Sequence, residues 1–271
     1  MKKILTMILI LFSITLMSCK KDEYIIINEV KNYEVDVEEK ITISTLEDAL
    51  VNAIKKAEQS VIGVIATSGS IFSGESFGSG VIIASKKISN TQQKYYVVTN
   101  RHVILNKSNK TYSQIKIYYG NMDNLIEAEL LMYDETQDLA LLSFVTEKIF
   151  AIAKTADSTK LEKGRYVIAI GSPYDYEYLY NTATVGNISH PNRRYEEKNM
   201  NDITCYNYYI QHDASINSGN SGGGLFNING ELIGINTWKI IGTEQYESYE
   251  GLGFSIPIHV VLQTVSSYIY Q

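Results

Sequence analysis

Asp213-Ala-Ser-Ile-Asn-Ser-Gly-Asn-Ser-Gly-Gly-Gly-Leu225 is the stretch on which the reading of this chain turns, and Ser221 is its centre. A serine hydroxyl is a poor nucleophile unless a base lies beside it and a rigid, open turn presents it. Gly219-Asn220-Ser221-Gly222-Gly223 supplies such a turn, because glycine tolerates positive φ and lets a substrate backbone come close. The same backbone lets successive N–H groups, chiefly those of Gly219 and Ser221, face one concavity suited to a developing oxyanion. Taken alone, the five residues read equally well as a flexible loop. A base and an acid elsewhere in the chain decide between the two.

Both are present upstream. Val98-Thr-Asn-Arg-His102-Val ends a Tyr/Val-rich run, which places His102 at the end of a strand. Thr136-Gln-Asp138-Leu-Ala-Leu-Leu142 places an acid just before an apolar strand, where burial leaves it in need of a partner. Among the other histidines, His190 precedes Pro191 in a loop-like stretch and His259 lies on a C-terminal helix. His212 leads into the serine turn and is expected on the cleft wall. Asp134 reads as a solvated loop acid, and Ser215 and Ser218 lack flanking glycines on both sides. No His/Cys/Asp/Glu cluster has metal-ligand spacing and no phosphate-binding glycine motif follows a strand, so neither metal nor cofactor is expected.

The surrounding motifs carry a family resemblance. Gly78-Ser-Gly-Val-Ile-Ile, Val97-Val-Thr-Asn-Arg-His-Val, Asp138-Leu-Ala-Leu-Leu and Val167-Ile-Ala-Ile-Gly-Ser-Pro173 resemble the HtrA/Deg serine proteases. So do Gln211-His-Asp-Ala-Ser-Ile-Asn-Ser-Gly-Asn-Ser-Gly-Gly, Gly230-Glu-Leu-Ile-Gly-Ile-Asn-Thr237 and Gly251-Leu-Gly-Phe-Ser-Ile-Pro257. The similarity runs in register from about Leu46 to the C-terminus. Ser218 and Gly224 depart from the family pattern, and no PDZ domain is expected after the protease domain. The resemblance implies a trypsin-like double β-barrel and a catalytic triad of His102, Asp138 and Ser221, with the Gly219 and Ser221 N–H groups as oxyanion hole. It also implies a specificity pocket walled by Ser215, Ile216, Asn236 and Thr237. Nothing in Ser215-Ile216 would receive Lys or Arg, so cleavage after small aliphatic residues is expected. Glutamate is the rival preference, with His190 as the residue that would serve it. A catalytically inactive peptide-binding lipoprotein is the alternative of a different class.

The chain has 271 residues, 45% of them hydrophobic and 20% charged, with a net charge of −6. That composition suits a globular enzyme, and an acidic chain without a basic cluster argues against nucleic-acid binding. The expected partners are polypeptide substrates and a membrane, with room for a homo-oligomer. Residues 1–18 read as a signal peptide: Lys2 and Lys3 precede an apolar run too short to span a bilayer. Leu16-Met-Ser-Cys19 resembles a lipobox, making Cys19 the lipid-modified first residue of an exported, membrane-anchored protein. Cys205 is the second of only two cysteines, so no disulfide is expected, and it reads as a small buried hydrophobe.

Residues 19–44 read as a tether and 45–271 as the protease domain. Thr45 is the expected N-cap of a short helix carrying Leu46, Leu50, Ala53, Ile54 and Ala57 at helical spacing. Twelve strand-like runs follow: 60–67, 76–84, 94–99, 114–119, 125–133 and 139–145, then 164–170, 182–189, 203–210, 222–227, 231–240 and 252–256. They fall six and six about the connection 147–163, giving an all-β fold with a first barrel over about 60–146 and a second over about 164–256. Asn229-Gly230 signals a type I′ hairpin. Pro257 is expected to open a C-terminal helix with an apolar stripe of Ile258, Val261, Leu262, Val265, Tyr268 and Ile269. The Tyr-rich segment 173–180 and the polar segment 190–202 read as long loops near the cleft.

Overall fold

Successive side chains of a strand point to opposite sides, and in this chain most strands meet apolar surroundings on both. The computed structural model describes residues 43–69, 75–106, 108–172, 179–198, 204–241 and 248–269. The first six strands are β1 (Val61–Thr67), β2 (Ser76–Lys87), β3 (Gln93–Asn100), β4 (Gln114–Tyr119), β5 (Asn121–Asp134) and β6 (Leu139–Thr146). They close antiparallel in the order β1-β2-β3-β6-β5-β4, with β4 returning to β1. The second six are β7 (Tyr166–Gly171), β8 (Thr182–Lys198), β9 (Thr204–His212), β10 (Gly224–Asn227), β11 (Leu232–Ile241) and β12 (Ser248–Pro257). Their closed order is β10-β11-β12-β9-β8-β7, with β7 pairing back to β10. Helix α1 (Ile43–Ala57) precedes the barrels and α2 (Ile258–Ile269) follows them.

The alternation explains why the strands read as unbroken apolar runs. In β3 and β6, Tyr95, Val97, Ala140, Leu142 and Phe144 fill the first barrel together with Ile62 and Val64. Their neighbours Tyr96, Val98, Leu139 and Leu141 face outward and join Ile168, Ile170, Phe226 and Ile235 from the outside of the second barrel. That shared layer also takes Ala53 and Ala57 of α1 and Ile258, Val261, Val265 and Ile269 of α2. The second barrel is filled by Val167, Ala169, Ile188, Ile210, Leu225 and Ile233. Each barrel therefore has its own core, and a third apolar layer fixes one barrel against the other.

Local expectations differ from the structure at several points. Thr45 is not an N-cap, because α1 begins two residues earlier at Ile43. Pro257 is the last residue of β12 rather than the first of α2; it pairs with Gly234, and Ile258 opens the helix. Tyr268, assigned to the buried stripe, is exposed. The β10–β11 hairpin is real but its turn is not type I′, since Gly230 alone adopts positive φ (69°) and Asn229 does not. The loop instead has Gly230 N donating to Asn227 O and Asn227 N donating to Glu231 O, while Asn227 Oδ1 accepts from the N–H groups of Asn229 and Glu231. The largest difference is the segment 190–202: residues 190–198 continue β8, paired with β9 as far as Lys198 opposite Thr204. The signal segment, Cys19, the tether as far as residue 42, the side chain of Cys205, residues 199–202 and most of the 173–180 loop lie outside the described residues, and residues 43 and 44 belong to α1.

Candidate active site

His102 sits in the 3-10 turn Arg101–Ile104 that immediately follows β3. β3 pairs with β6 down to Asn100 opposite Leu139, so the two strands deliver His102 and Asp138 to the same end of the first barrel. The backbone then fastens the two together. Arg101 N and Asn100 Nδ2 each donate to Asp138 O at 3.0 Å, and His102 N donates to Asp138 Oδ1 at 3.0 Å. Asp138 holds a left-handed backbone (φ 52°), a conformation that the short acidic side chain tolerates better than most. Its other oxygen, Oδ2, lies 2.7 Å from His102 Nδ1. An ionised carboxylate only accepts, so Nδ1 carries the hydrogen and Nε2 of the neutral ring is left with its lone pair.

Thr237 of β11 completes this group from the second barrel. The β11–β12 register shifts between Asn236 and Trp238, which takes Thr237 out of the ladder. Its hydroxyl donates to Asp138 Oδ2 at 3.0 Å and its carbonyl accepts from Ser221 Oγ at 2.9 Å. Ser221, His102 and Asp138 are thus gathered at one place, with Ser221's hydroxyl resting on Thr237 O rather than on the imidazole.

The turn carrying Ser221 is held on all sides. Asn220 N donates to Asn217 O, Gly223 N to Asn220 O, Gly222 N to Asn236 O, and Asn236 N to Gly223 O. Gly222 has a φ of 84°, and a Cβ there would fall 2.1 Å from Ser79 O, so no other residue fits. From the first barrel, Ser79 N donates to Ser221 O at 2.8 Å. The fully buried Ser79 hydroxyl donates to Gly219 O at 2.7 Å and accepts from Ser172 N at 2.8 Å. Thr99 Oγ1 donates to Ser79 O in turn. The peptide between Gly219 and Asn220 is thereby clamped, with φ 96° at Gly219. Among the described residues, neither the Gly219 nor the Ser221 N–H has an intramolecular acceptor. Ser79 and Thr99 bear on the candidate site through these contacts, and motif reading passed over both. Ser79 stood inside the Gly78-Ser-Gly motif, but nothing in one dimension ties it to Gly219.

The remaining candidates scatter. Ser215 is exposed, with its carbonyl accepting from Thr184 Oγ1, whereas Ile216 is buried. Asn236 is fully buried, and its side chain faces into the second barrel: Nδ2 donates to Gly224 O and Oδ1 accepts from Ser255 Oγ. His212 does not line an open wall; it is fully buried, its Nε2 3.0 Å from Ser255 Oγ, and Gly253 lies directly over its ring. Burial drives its pKa down to about 4, against weaker opposing effects of Asp213 and the Ala214 backbone. His190 sits on β8 opposite Gln211, with Nδ1 accepting from Asn192 N; burial and then the Arg193 and Lys163 cations lower its pKa. Asp134 is half-buried at the end of β5 and accepts from Gln137 N, so it builds the turn that precedes Asp138. His259 exchanges hydrogen bonds with Ser158 at the start of α2. Among the described residues no group of His, Cys, Asp and Glu is placed to hold a metal ion.

Comparison with known proteins agrees with the fold. Residues 78–235 match the trypsin-like peptidase domain. The chain is 37% identical over 235 residues to the serine protease Do-like HtrA of Lactococcus lactis subsp. lactis, covering 80% of this chain and 56% of that protein. It is 37% identical over 194 residues to the periplasmic serine endoprotease DegP of Escherichia coli K12, covering 71% of this chain and 35% of DegP. Among solved structures it is similar to the HtrA-type protease AlgW with tripeptide, at 30% identity and a TM-score of 0.62, covering 82% of this chain and 64% of that one. The chain thus spans only part of the length of these relatives. With the match covering more than half of its residues, the chain belongs to the trypsin-like peptidase domain family, and within it resembles the HtrA/Deg serine proteases.

Proposed function

We propose that the chain is a serine endopeptidase acting on exported or misfolded polypeptides through His102, Asp138 and Ser221. The observation that carries this reading is the Asp138 carboxylate. Its Oδ2 contacts both His102 Nδ1 and the hydroxyl of Thr237, the residue whose carbonyl holds Ser221. In the proposed reaction Ser221 Oγ turns from Thr237 O toward His102 Nε2, which takes its proton as Oγ bonds to the scissile carbonyl carbon. The oxyanion is received by the Gly219 and Ser221 N–H groups, each such donor contributing about 3–4 kcal/mol in comparable sites. His102 then gives the proton to the departing amine as the C–N bond breaks, and a water repeats the sequence on the acyl-enzyme. Asp138 holds the ring in the required tautomer and stabilises the imidazolium.

A small aliphatic residue before the cleaved bond fits the uncharged Ser215-Ile216 pair, which carries no group to receive a charged side chain. The glutamate alternative calls on His190, whose pKa is lowered by burial and by the Arg193 and Lys163 cations, which disfavours the charged ring that a carboxylate would need. The reading extends to export and to anchoring through acyl chains on Cys19, since several chains give stable attachment where one does not. Fluorophosphonate labelling with casein turnover tests the activity. Wild type should label and Ser221→Ala should not, with turnover falling by several decades, on the order of 10⁶ for a full triad. Casein cleavage by Ser221→Ala at the wild-type rate would refute the assignment of the nucleophile. A folded wild type that neither labels nor cleaves would instead favour an inactive peptide-binding protein.

A further inference from the structure

Asp138 belongs to the first barrel, yet the turn that presents it is gripped by the second. β8 and β9 pair past two register shifts, near His190 and Arg193, and continue as a hairpin arm running from Arg193 opposite Tyr209 to Lys198 opposite Thr204. Asn207 lies on this arm, opposite Tyr195, and is 2% exposed. Its Nδ2 donates to Thr136 O at 2.6 Å, and its Oδ1 accepts from Gln137 Nε2 at 3.0 Å. Both contacts fall in the four-residue turn Glu135–Asp138 that links β5 to β6. Arm and barrel are also joined by aromatic packing, with the Tyr209 ring against both Tyr195 and Phe254.

We infer that Asn207 is a positioning residue for the catalytic acid: it fixes the turn Glu135–Asp138 from the opposite barrel and so holds the Asp138 carboxylate on His102. Three features of the contact support this. The amide uses its donor and its acceptor at once on adjacent residues, so it fixes orientation as well as position. Aspartate would retain only the acceptor, and alanine neither. The contact adjoins a left-handed Asp138, a conformation the chain keeps only where its surroundings over-determine it. Finally, the other contacts reach the two ends of the turn: Asn100 and Arg101 hold Asp138 O, His102 N and Thr237 hold the Asp138 carboxylate, and the Arg101 guanidinium lies 3.6 Å from Glu135. Between those ends, Thr136 and Gln137 are held by Asn207 and by the local bond from Gln137 N to Asp134. A displacement of about 1 Å in a catalytic group is enough to lower turnover by roughly 100-fold.

The inference rests on the proposed triad, and the test separates the two. Asn207→Ala, Gln137→Ala, the double variant and Ser221→Ala are made in the full chain, and active sites are counted by fluorophosphonate burst. A peptide substrate then gives kcat per titrated site, KM and the pH profile of kcat/KM. Asn207→Ala is expected to lower kcat per site roughly 10- to 100-fold with KM nearly unchanged. It should also move the acid limb of kcat/KM to lower pH, because a loosened carboxylate stabilises the His102 cation less. Gln137→Ala should shift the limb the same way by less, and should add little to Asn207→Ala. Unchanged kcat per site and an unchanged acid limb in Asn207→Ala would overturn the inference, whatever its thermal stability. If Asn207→Ala does not fold, Gln137→Ala decides by the same two readouts. Turnover that survives Ser221→Ala would bring down the triad itself, independently of Asn207.

Discussion

His212 should make the protein acid-labile, by an amount that follows from its surroundings. The ring is fully buried inside the second barrel, where Ser255 Oγ is 3.0 Å from Nε2. Ser255 Oγ donates to Asn236 Oδ1, because Asn236 Nδ2 is committed to Gly224 O. Nε2 must therefore carry the hydrogen, while Nδ1 is buried with no partner at hydrogen-bonding distance, the Ala214 backbone only weakly favouring a proton on the ring. A second proton on Nδ1 would create a buried cation, and the pKa falls from 6.5 to about 4. The unfolded chain thus binds a proton that the folded one refuses. Stability is full above pH 6.5 and declines as the pH falls from there toward 4. At 1.4 kcal/mol per pKa unit the whole effect is about 3 kcal/mol, of which about 2 kcal/mol is lost between pH 7 and 4.5. Urea unfolding of wild type and of His212→Gln across that range measures it. Taking the difference between the two proteins cancels the other titrating groups, among them Asp157 and Glu231, whose hydrogen bonds lower their pKa values. Parallel curves for the two proteins would refute the reasoning.

Ser79→Ala removes both the donor to Gly219 O and the acceptor for Ser172 N from a site without solvent. It should cost about 1–3 kcal/mol in unfolding free energy and lower kcat more than it raises KM, read by urea melts and steady-state kinetics on the same sample. A kcat at the wild-type value would mean that the oxyanion turn needs no support from the first barrel. Cys19→Ser, expressed in a bacterial host, should leave the membrane fraction or accumulate unprocessed. Unaltered partitioning, with no lipid mass on the N-terminal peptide of wild type, would remove the proposed anchor.

Most strands of this fold were legible because they are apolar on both faces, so Val, Ile and Tyr accumulate in them. The outer half of β8 was not. Arg193, Arg194, Glu196 and Lys198 look like a polar loop, since a two-stranded arm needs no buried stripe of its own. What stabilises it lies on the other strand, as where Arg194 stacks 3.8 Å from the Tyr206 ring centroid. His212 shows a different limit. One residue of register separates a cleft wall from a barrel interior, and only the pairing of His212 with Gly253 settles which side it takes. His102, Asp138 and Ser221 could be picked out as motifs, each embedded in its own run. Thr237, Ser79 and Asn207 bear on the site through contacts between barrels, and such contacts leave no local pattern to read.

Thr237 ties the proposed nucleophile and acid to one residue, and its geometry bounds how far the resting site is from a reactive one. The bond from Ser221 Oγ to Thr237 O must break before the hydroxyl can turn to His102 Nε2. A hydrogen bond of this kind has a net worth of about 1 kcal/mol, which sets the reactive rotamer back by a factor of about five. That is small beside the several decades that a triad contributes. Rotation about one side-chain bond is also fast compared with turnover. The resting hydroxyl is therefore a minor toll on the rate and too weak to act as a switch. The costlier elements are the backbone turn at Gly219–Gly223, the left-handed Asp138 and the displaced Thr237, and all three are already in place. Substantial control of this site would have to act on those elements, and the contacts of Ser79 and Asn207 are where it would take hold.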